Sequence, residues 1–445
     1  MKSISDIWKK WKFTRKYLPN VKNAQQIRWG FECGINRERG QILELIGNWN
    51  EAELAFSTMI SCAKKINNKS SLAQGKTMMG NIKHRKGEYE KALSLFKEAY
   101  QLYANINDSL GRARALSFIG VLSWRQGKYE KAQDYFQQYL TIGEKMKDKK
   151  TICTALGNLA LVYHVRGEIE KAMAYQKRTL RLAKELDDGR KISITLGNMG
   201  ITYHDLGNYK KALQCYTRRL SIAEKMGDIR SVAAATGDMG IIYCEQKNYD
   251  KAIECHQREM RIAKKLGDKK STGISLANLG IVYYEQKKFK KALDCYKQSL
   301  SISEELDDKR GISIVTGNIG LVYGKQRLFK KALLYHERSL RCAEELKDTR
   351  NMSIALGNLA NIQMKLGNYE KAEVFLSKAI ALASKLNLRY FLCGFLLDKA
   401  ELFVKQKHFK QAKELLTQAR TVAKEIGRAE IVEQCETLSK SIKRK

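Results

Sequence analysis

One proline stands in the 445 residues, Pro19, so the chain lacks the residue that most often breaks helices and punctuates linkers between separately folded domains. It also lacks any apolar run of roughly 18 residues and any basic start followed by an apolar stretch and a small-residue cleavage site. Membrane insertion and secretion are therefore not expected, and a cytoplasmic protein is. The ten cysteines form neither a CxxC pair nor a Cys/His cluster with zinc spacing, which predicts reduced thiols and no bound metal. GxxxxGK[ST], HExxH and GxSxG are all absent, as are paired carboxylates in an apolar setting, so the sequence predicts no enzyme and no cofactor. Acidic residues are few: 47 Asp and Glu stand against 82 Lys and Arg, a net charge of +35. That imbalance makes acidic proteins, nucleic acids and anionic surfaces the classes of partner to weigh. A hydrophobic share of 44% with 29% charged residues excludes a disordered chain.

What is present is repetition. The segment Leu196 to Asp228, LGNMGITYHDLGNYKKALQCYTRRLSIAEKMGD, returns at Leu276 to Asp308 as LANLGIVYYEQKKFKKALDCYKQSLSISEELDD. An alanine recurs ten times at a 40-residue interval: Ala52, Ala92, Ala132, Ala172, Ala212, Ala252, Ala292, Ala332, Ala372 and Ala412. A second small column holds Gly40, Gly80, Gly120, Ala160, Gly200, Gly240, Gly280, Gly320, Ala360 and Ala400. Such columns let two helices cross closely. Apolar residues fall at helical spacing in each half-unit, as in Met199, Tyr203 and Leu206, then Tyr209, Leu213, Tyr216 and Leu220. Each unit thus reads as two amphipathic helices. Glycine marks the turn inside the unit at Gly47, Gly87, Gly127, Gly167, Gly207 and Gly367. Asn68, Asp108, Asp148, Asp188, Asp228, Asp268, Asp308 and Asp348 suit N-caps for the helix that opens the next unit. One unit cannot bury its apolar face alone, so neighbours must stack.

The small residue, the aromatics, the internal alanine and strings such as GNLA, GNMG, GNIG and YEKA resemble the tetratricopeptide repeat in its 40-residue form, as in kinesin light chain and Pins-type adaptors. The resemblance implies an all-α fold, a right-handed superhelix or α-solenoid of about ten helix-turn-helix repeats, working as a protein-binding scaffold or adaptor. Repeats are expected over residues 36–427, preceded by a basic N-terminal segment or capping helix at 1–35 and followed by a cap helix and basic tail at 428–445. Within 1–18, Ile4, Ile7, Trp8 and Trp11 form one helical stripe among lysines, which suits a helix folded back on the first repeat or an anchor for a partner or membrane surface. The pattern departs from its own rule where Lys247, Lys287, Arg327 and Lys407 replace the turn glycine, which puts the geometry of those turns in question.

Three columns are candidates for binding. An amide ladder runs through Asn158, Asn198, Asp238, Asn278, Asn318 and Asn358, with Asp398 a weaker continuation. Asparagine is a mediocre helix former, so its repetition in mid-helix calls for a packing or binding reason. The resemblance implies that this position lines a concave groove and holds the backbone of an extended peptide, and a carboxamide has the donor and acceptor for that. The alternative is that the amides bond only to neighbouring helices. A basic column, Lys150, Arg190, Arg230, Lys270, Arg310 and Arg350, follows each capping Asp by two residues. Positive charge there opposes the helix dipole, so stability alone would not select it. Either it faces the groove, or it pairs with acids closing the previous helix such as Glu185 or Asp188. A third column, Trp124, His164, His204, Cys244 and Tyr284, has the variety of groove walls, or of half-buried filler. Phe56, Phe96, Phe136, Tyr216, His256, Tyr296 and His336 read as packing. His84, His164 and His204 share one repeat position, but helices roughly 8 to 10 Å apart cannot bring their nitrogens within about 2 Å of one ion. The expected partner is an acidic protein or peptide. The alternative, argued from charge, is a nucleic-acid-associated protein or a regulatory subunit of a larger signalling or defence complex; the oligomeric state is not readable.

Overall fold

Seventeen residues of helix and three of turn, taken twice, account for the 40-residue period. The computed structural model describes residues 24–386 and 388–443, and among them every regular element is a helix, 86% of the described residues in all. Ten helical pairs follow one another, from Ala24–Leu45 with Trp49–Lys65 to Arg389–Lys405 with Phe409–Glu425, and a last helix, Ala429–Lys443, closes the row. This is the all-α architecture of stacked helical pairs expected from the repeats. The stripe at Ile4, Ile7, Trp8 and Trp11 lies outside the described residues. The helices gather into two compact units, one up to residue 222 and one from residue 223.

The middle residue of each three-residue turn inside a pair takes a left-handed backbone. Glycine does so at Gly47, Gly87, Gly127, Gly167, Gly207 and Gly367, with φ between 68° and 81°. Lys247, Lys287, Arg327 and Lys407 adopt the same conformation at φ 60° to 64°, so those turns keep their geometry without glycine. The left-handed region costs an L-residue roughly 1–2 kcal/mol, offset in part by the extra freedom a glycine loses on folding. Lys247→Gly, Lys287→Gly and Arg327→Gly should therefore each raise stability, by about 0.5–1 kcal/mol, read as a higher urea midpoint at unchanged helix content.

The turns between pairs are closed by side chains. Asn68, Asp108, Asp148, Asp188, Asp228, Asp268, Asp308 and Asp348 each accept the backbone N–H three residues on, at 2.8–3.1 Å. Each cap satisfies one of the N–H groups that a helix start leaves unpaired.

The alanine column is fully buried throughout, from Ala52 to Ala412. The small column of the first helix has a more specific cause than a close helix crossing. A Cβ added to Gly40, Gly80, Gly120, Gly200, Gly240, Gly280 or Gly320 would lie 2.3–2.7 Å from the ring sixteen residues later: Phe56, Phe96, Phe136, Tyr216, His256, Tyr296 or His336. Where the first helix carries alanine instead, at Ala160, Ala360 and Ala400, the residue sixteen on is not a ring but Gln176, Leu376 or Leu416. Glycine and ring are thus one packing unit, and the second-helix aromatics are core.

Much of the positive charge serves the scaffold. In the first unit Lys171 and Lys211 lie 5.5 Å from the ring centres of Tyr163 and Tyr203; in the second, Lys251, Lys291 and Lys331 stand 5.5–5.7 Å from those of Tyr243, Tyr283 and Tyr323. Exposed ion pairs tie the two helices of one repeat together, as in Lys149 with Glu185 at 2.9 Å and Lys309 with Glu345 at 2.6 Å. Each such surface contact is screened by solvent and contributes little by itself.

Candidate functional site

In the second unit the ladder asparagines sit mid-way along first helices: Asn278 in Lys269–Glu285, Asn318 in Lys309–Lys325 and Asn358 in Thr349–Lys365. All three are half-buried, and none of their side chains is hydrogen bonded to another described residue. Polar neighbours behave differently. Ser313 donates to the carbonyl of Ser339 at 2.8 Å, and Ser353 to that of Ala379 at 3.0 Å, tying first helix to second. Positions four before and three after an asparagine share its helical face. Those flanking Asn278 are Ile274 and Ile281, 49% and 39% exposed; those flanking Asn318 are Ile314 and Leu321, 44% and 38% exposed. An unpaired amide between two exposed aliphatic side chains is therefore the repeated motif of this face. Asn358 departs from it, having Asn361 where its predecessors have an aliphatic residue. Asp238 is half-buried like the rest.

Near the end of this face the helices enclose a pocket of about 310 Å³. It gathers three predicted residues, Tyr284, Asn358 and Asp398, with Lys325, Lys365 and the buried ring of His336. Burial, reinforced by Glu401 and opposed by Lys365, pushes the Asp398 carboxyl up to about 7. Burial, with Lys325 and Lys405 adding repulsion, lowers Lys365 from its ordinary value, Asp398 opposing. His336 is held down to about 4 by burial, hence neutral, and neither of its ring nitrogens has a partner. The raised Asp398 value makes stability depend on pH. A folded-state value raised above the unfolded one near 3.8 means the folded chain holds the proton more tightly, so this contribution is present at pH 4 and lost as pH rises through 7. Asp398→Asn should remove that loss, and melts from pH 4 to 8 should show the variant gaining on the parent most at pH 8.

The basic column is largely committed where the second unit shows it. Lys270 pairs with Asp308 at 2.9 Å and Arg310 with Asp348 at 3.6 Å, the capping acids of the following repeat rather than those closing the previous helix. Hydrogen bonds from Ser271 lower the Asp268 carboxyl and Arg230 adds to them in the same sense, and the Arg350 guanidinium lies 5.8 Å from the ring centre of Phe391. One carboxylate thus caps its own helix and takes the cation of the preceding repeat.

In the first unit Asn158 and Asn198 are half-buried, again with no side-chain hydrogen bond to a described residue. Exposed Ile194 and Ile201 flank Asn198 as in the second unit. Lys150 and Arg190 are exposed. The wall column is mixed. Trp124 packs against the core around Phe136 and Leu156, with its indole N–H buried and unpaired. His164 Nε2 lies 2.8 Å from an oxygen of Asp205, and the His204 ring is 6.0 Å from that of Tyr209. In the second unit Cys244 is half-buried, its thiol pushed up to about 11 by burial and by Glu285 and Glu245.

The model of the tetratricopeptide repeat matches residues 71–145, 151–225, 231–305 and 311–385, well over half the chain. The chain belongs to the tetratricopeptide repeat family. Repeats of this family build protein-interaction scaffolds. No curated protein matches this chain in sequence. Among solved structures it is similar to a signal-transduction ATPase with a tetratricopeptide repeat sensor from Pyrococcus horikoshii, at 19% identity and a TM-score of 0.55, over 82% of this chain and 53% of that one. Aspartyl phosphate phosphatase F from Bacillus subtilis is similar at 16% identity and a TM-score of 0.52, over 79% and 94%. The apo form of RapI is similar at 18% and 0.52, over 62% and 99%. At these identities the likeness is one of fold. In this tetratricopeptide repeat chain no helix among the described residues is long and apolar enough to cross a membrane. Nor is any group of three or more His, Cys, Asp or Glu among those residues placed to hold a metal ion.

The flanking isoleucines and Leu321 were not singled out from the sequence, because apolar residues at helical spacing read as core. The available signal was a second aliphatic pair on each first helix, beyond those the partner helix needs.

Proposed function

We propose that this chain is a non-catalytic, cytoplasmic scaffold that holds an extended, acidic segment of a partner protein along its first helices, with the strongest case in the second unit. One observation carries the reading: Asn278 and Asn318 present amides with no partner among the described residues, each between exposed aliphatic side chains. An amide supplies both halves of a bond to a peptide unit, and the aliphatic pair offers a seat for an apolar side chain. Helices spaced roughly 8 to 10 Å apart would meet an extended chain every two to three residues, at its rise of about 3.3–3.6 Å per residue. The preference for acid rests on Lys325 and Lys365, which make no salt bridge to a described residue, and on the net charge of +35. The net charge alone favours a nucleic-acid partner, and affinity capture separates the two. Captured partners, identified by mass spectrometry before and after nuclease treatment, should include a protein that survives nuclease. Loss of every partner after nuclease would sink the scaffold reading in favour of nucleic acid.

A further inference from the structure

The amide ladder does not extend to the opening repeats: its position holds Glu38, Met78 and Phe118 there. In their place the first unit has a cavity of about 660 Å³, lined by Trp49, His84, Tyr89, Phe118, Arg85 and Arg125 among others. Its polar groups are unequally committed. Arg85 is bound to Glu44, Nε to Oε1 at 3.1 Å. Arg125 is exposed and makes no ion pair with a described residue. His84 Nε2 is buried without a hydrogen-bond partner, and burial, with Arg125 and Arg85 adding repulsion, lowers the imidazole from its ordinary value. Asn81, one turn before His84 on the same helix, lines the cavity as well. Its apolar walls are open: Trp49 and Tyr89 remain 38% and 37% exposed, and Phe118 stacks on Phe96 with ring centres 4.9 Å apart.

We infer that this cavity is a second binding site, separate from the amide face, for a monoanionic carboxylate carried on an aromatic or branched apolar stem. The charge count selects a single negative charge. Glu44 neutralises Arg85 and the imidazole is neutral, leaving the Arg125 guanidinium as the one uncompensated cation among the described residues that line the cavity. A carboxylate beside Arg125 would accept its N–H groups and a bond from His84 Nε2, giving the orphaned nitrogen a partner. The stem would lie against Trp49, Tyr89 and Phe118 and cover ring surface that the fold leaves in water. A free organic acid and an acidic side chain next to an apolar one both present this chemistry.

Histidine ring NMR on the full chain tests the assignment, since only six histidines contribute signals. The probes are phenylacetate, phenylacetamide with the same stem and no charge, acetate with the charge and no stem, and the capped peptide acetyl-Gly-Phe-Asp-Gly-amide. Phenylacetate should move the His84 signal saturably, with at least about tenfold weaker binding of phenylacetamide and of acetate. Arg125→Gln, at an exposed position and checked by its melt, should weaken phenylacetate by a similar factor, and Tyr89→Ala should weaken it through the stem. If the capped peptide also binds, the site takes a protein segment; if phenylacetate alone binds, it takes a free acid. An equal response to phenylacetamide, no response of His84 to any probe, or unchanged phenylacetate affinity in folded Arg125→Gln overturns the inference. The pocket at the end of the amide face has its own reporter in His336, so a response of His84 alone keeps the failure of this site and the failure of that face distinguishable.

Discussion

Gly280→Ala should destabilise the chain by about 1–3 kcal/mol, although alanine is the better helix former by close to 1 kcal/mol. The added methyl would lie 2.4 Å from Cε1 of Tyr296, a side chain 1% exposed and fixed among buried neighbours, so the ring or the helix must shift. Tyr296→Leu alone should also destabilise, by leaving space where the ring was. Together the two changes reproduce the pairing of Ala360 with Leu376, and the double variant should be more stable than the sum of the single effects predicts by roughly 1 kcal/mol or more. Urea unfolding of the four chains checks this. An additive double variant would show that the matching of glycine with ring is incidental to packing.

That pairing shows what was legible in the sequence. The 40-residue period, the alanine column, the capping acids and the two helices per unit could all be read directly, because each depends on local rules of spacing and capping. The covariation of Gly40, Gly80 and Gly280 with rings sixteen residues on was equally visible in the letters. Its meaning was not, since a small residue is explained as well by two backbones crossing as by a ring lying over one. The replaced turn glycines were undecidable for a different reason: lysine and arginine can occupy the left-handed region at a cost that the packing on either side repays. The basic column had two readings because charge acts across repeats. The partner found for Lys270, Asp308, lies 38 residues on in the chain and is adjacent only once the repeats have stacked. The ladder was picked out by its poor helix propensity, whereas Ile274, Ile281 and Ile314 were hidden by looking like core.

Those aliphatic residues give the second large effect. Ile274→Asp with Ile314→Asp should reduce partner affinity by a hundredfold or more, since burial of each side chain is worth roughly 1.5–3 kcal/mol and a carboxylate would also repel an acidic ligand. Both positions are about half exposed in the chain itself, 49% and 44%, so the fold should keep its melting temperature within a few degrees. Arg310→Ala should change affinity far less, because its guanidinium is already held by Asp348.

Calorimetry of Asn278→Ala with Asn318→Ala, against the captured partner at two salt concentrations, tests the central claim most directly. Uncharged amide contacts contribute roughly 0.5–1.5 kcal/mol each and are not screened, whereas exposed charges lose most of their influence beyond a Debye length of about 8 Å at 0.15 M. The double variant, with an unchanged melt, should bind more weakly by a similar factor of about 5 to 150 at both salts. Unchanged affinity at both salts in the folded double variant would contradict the account, placing the partner away from the amide face.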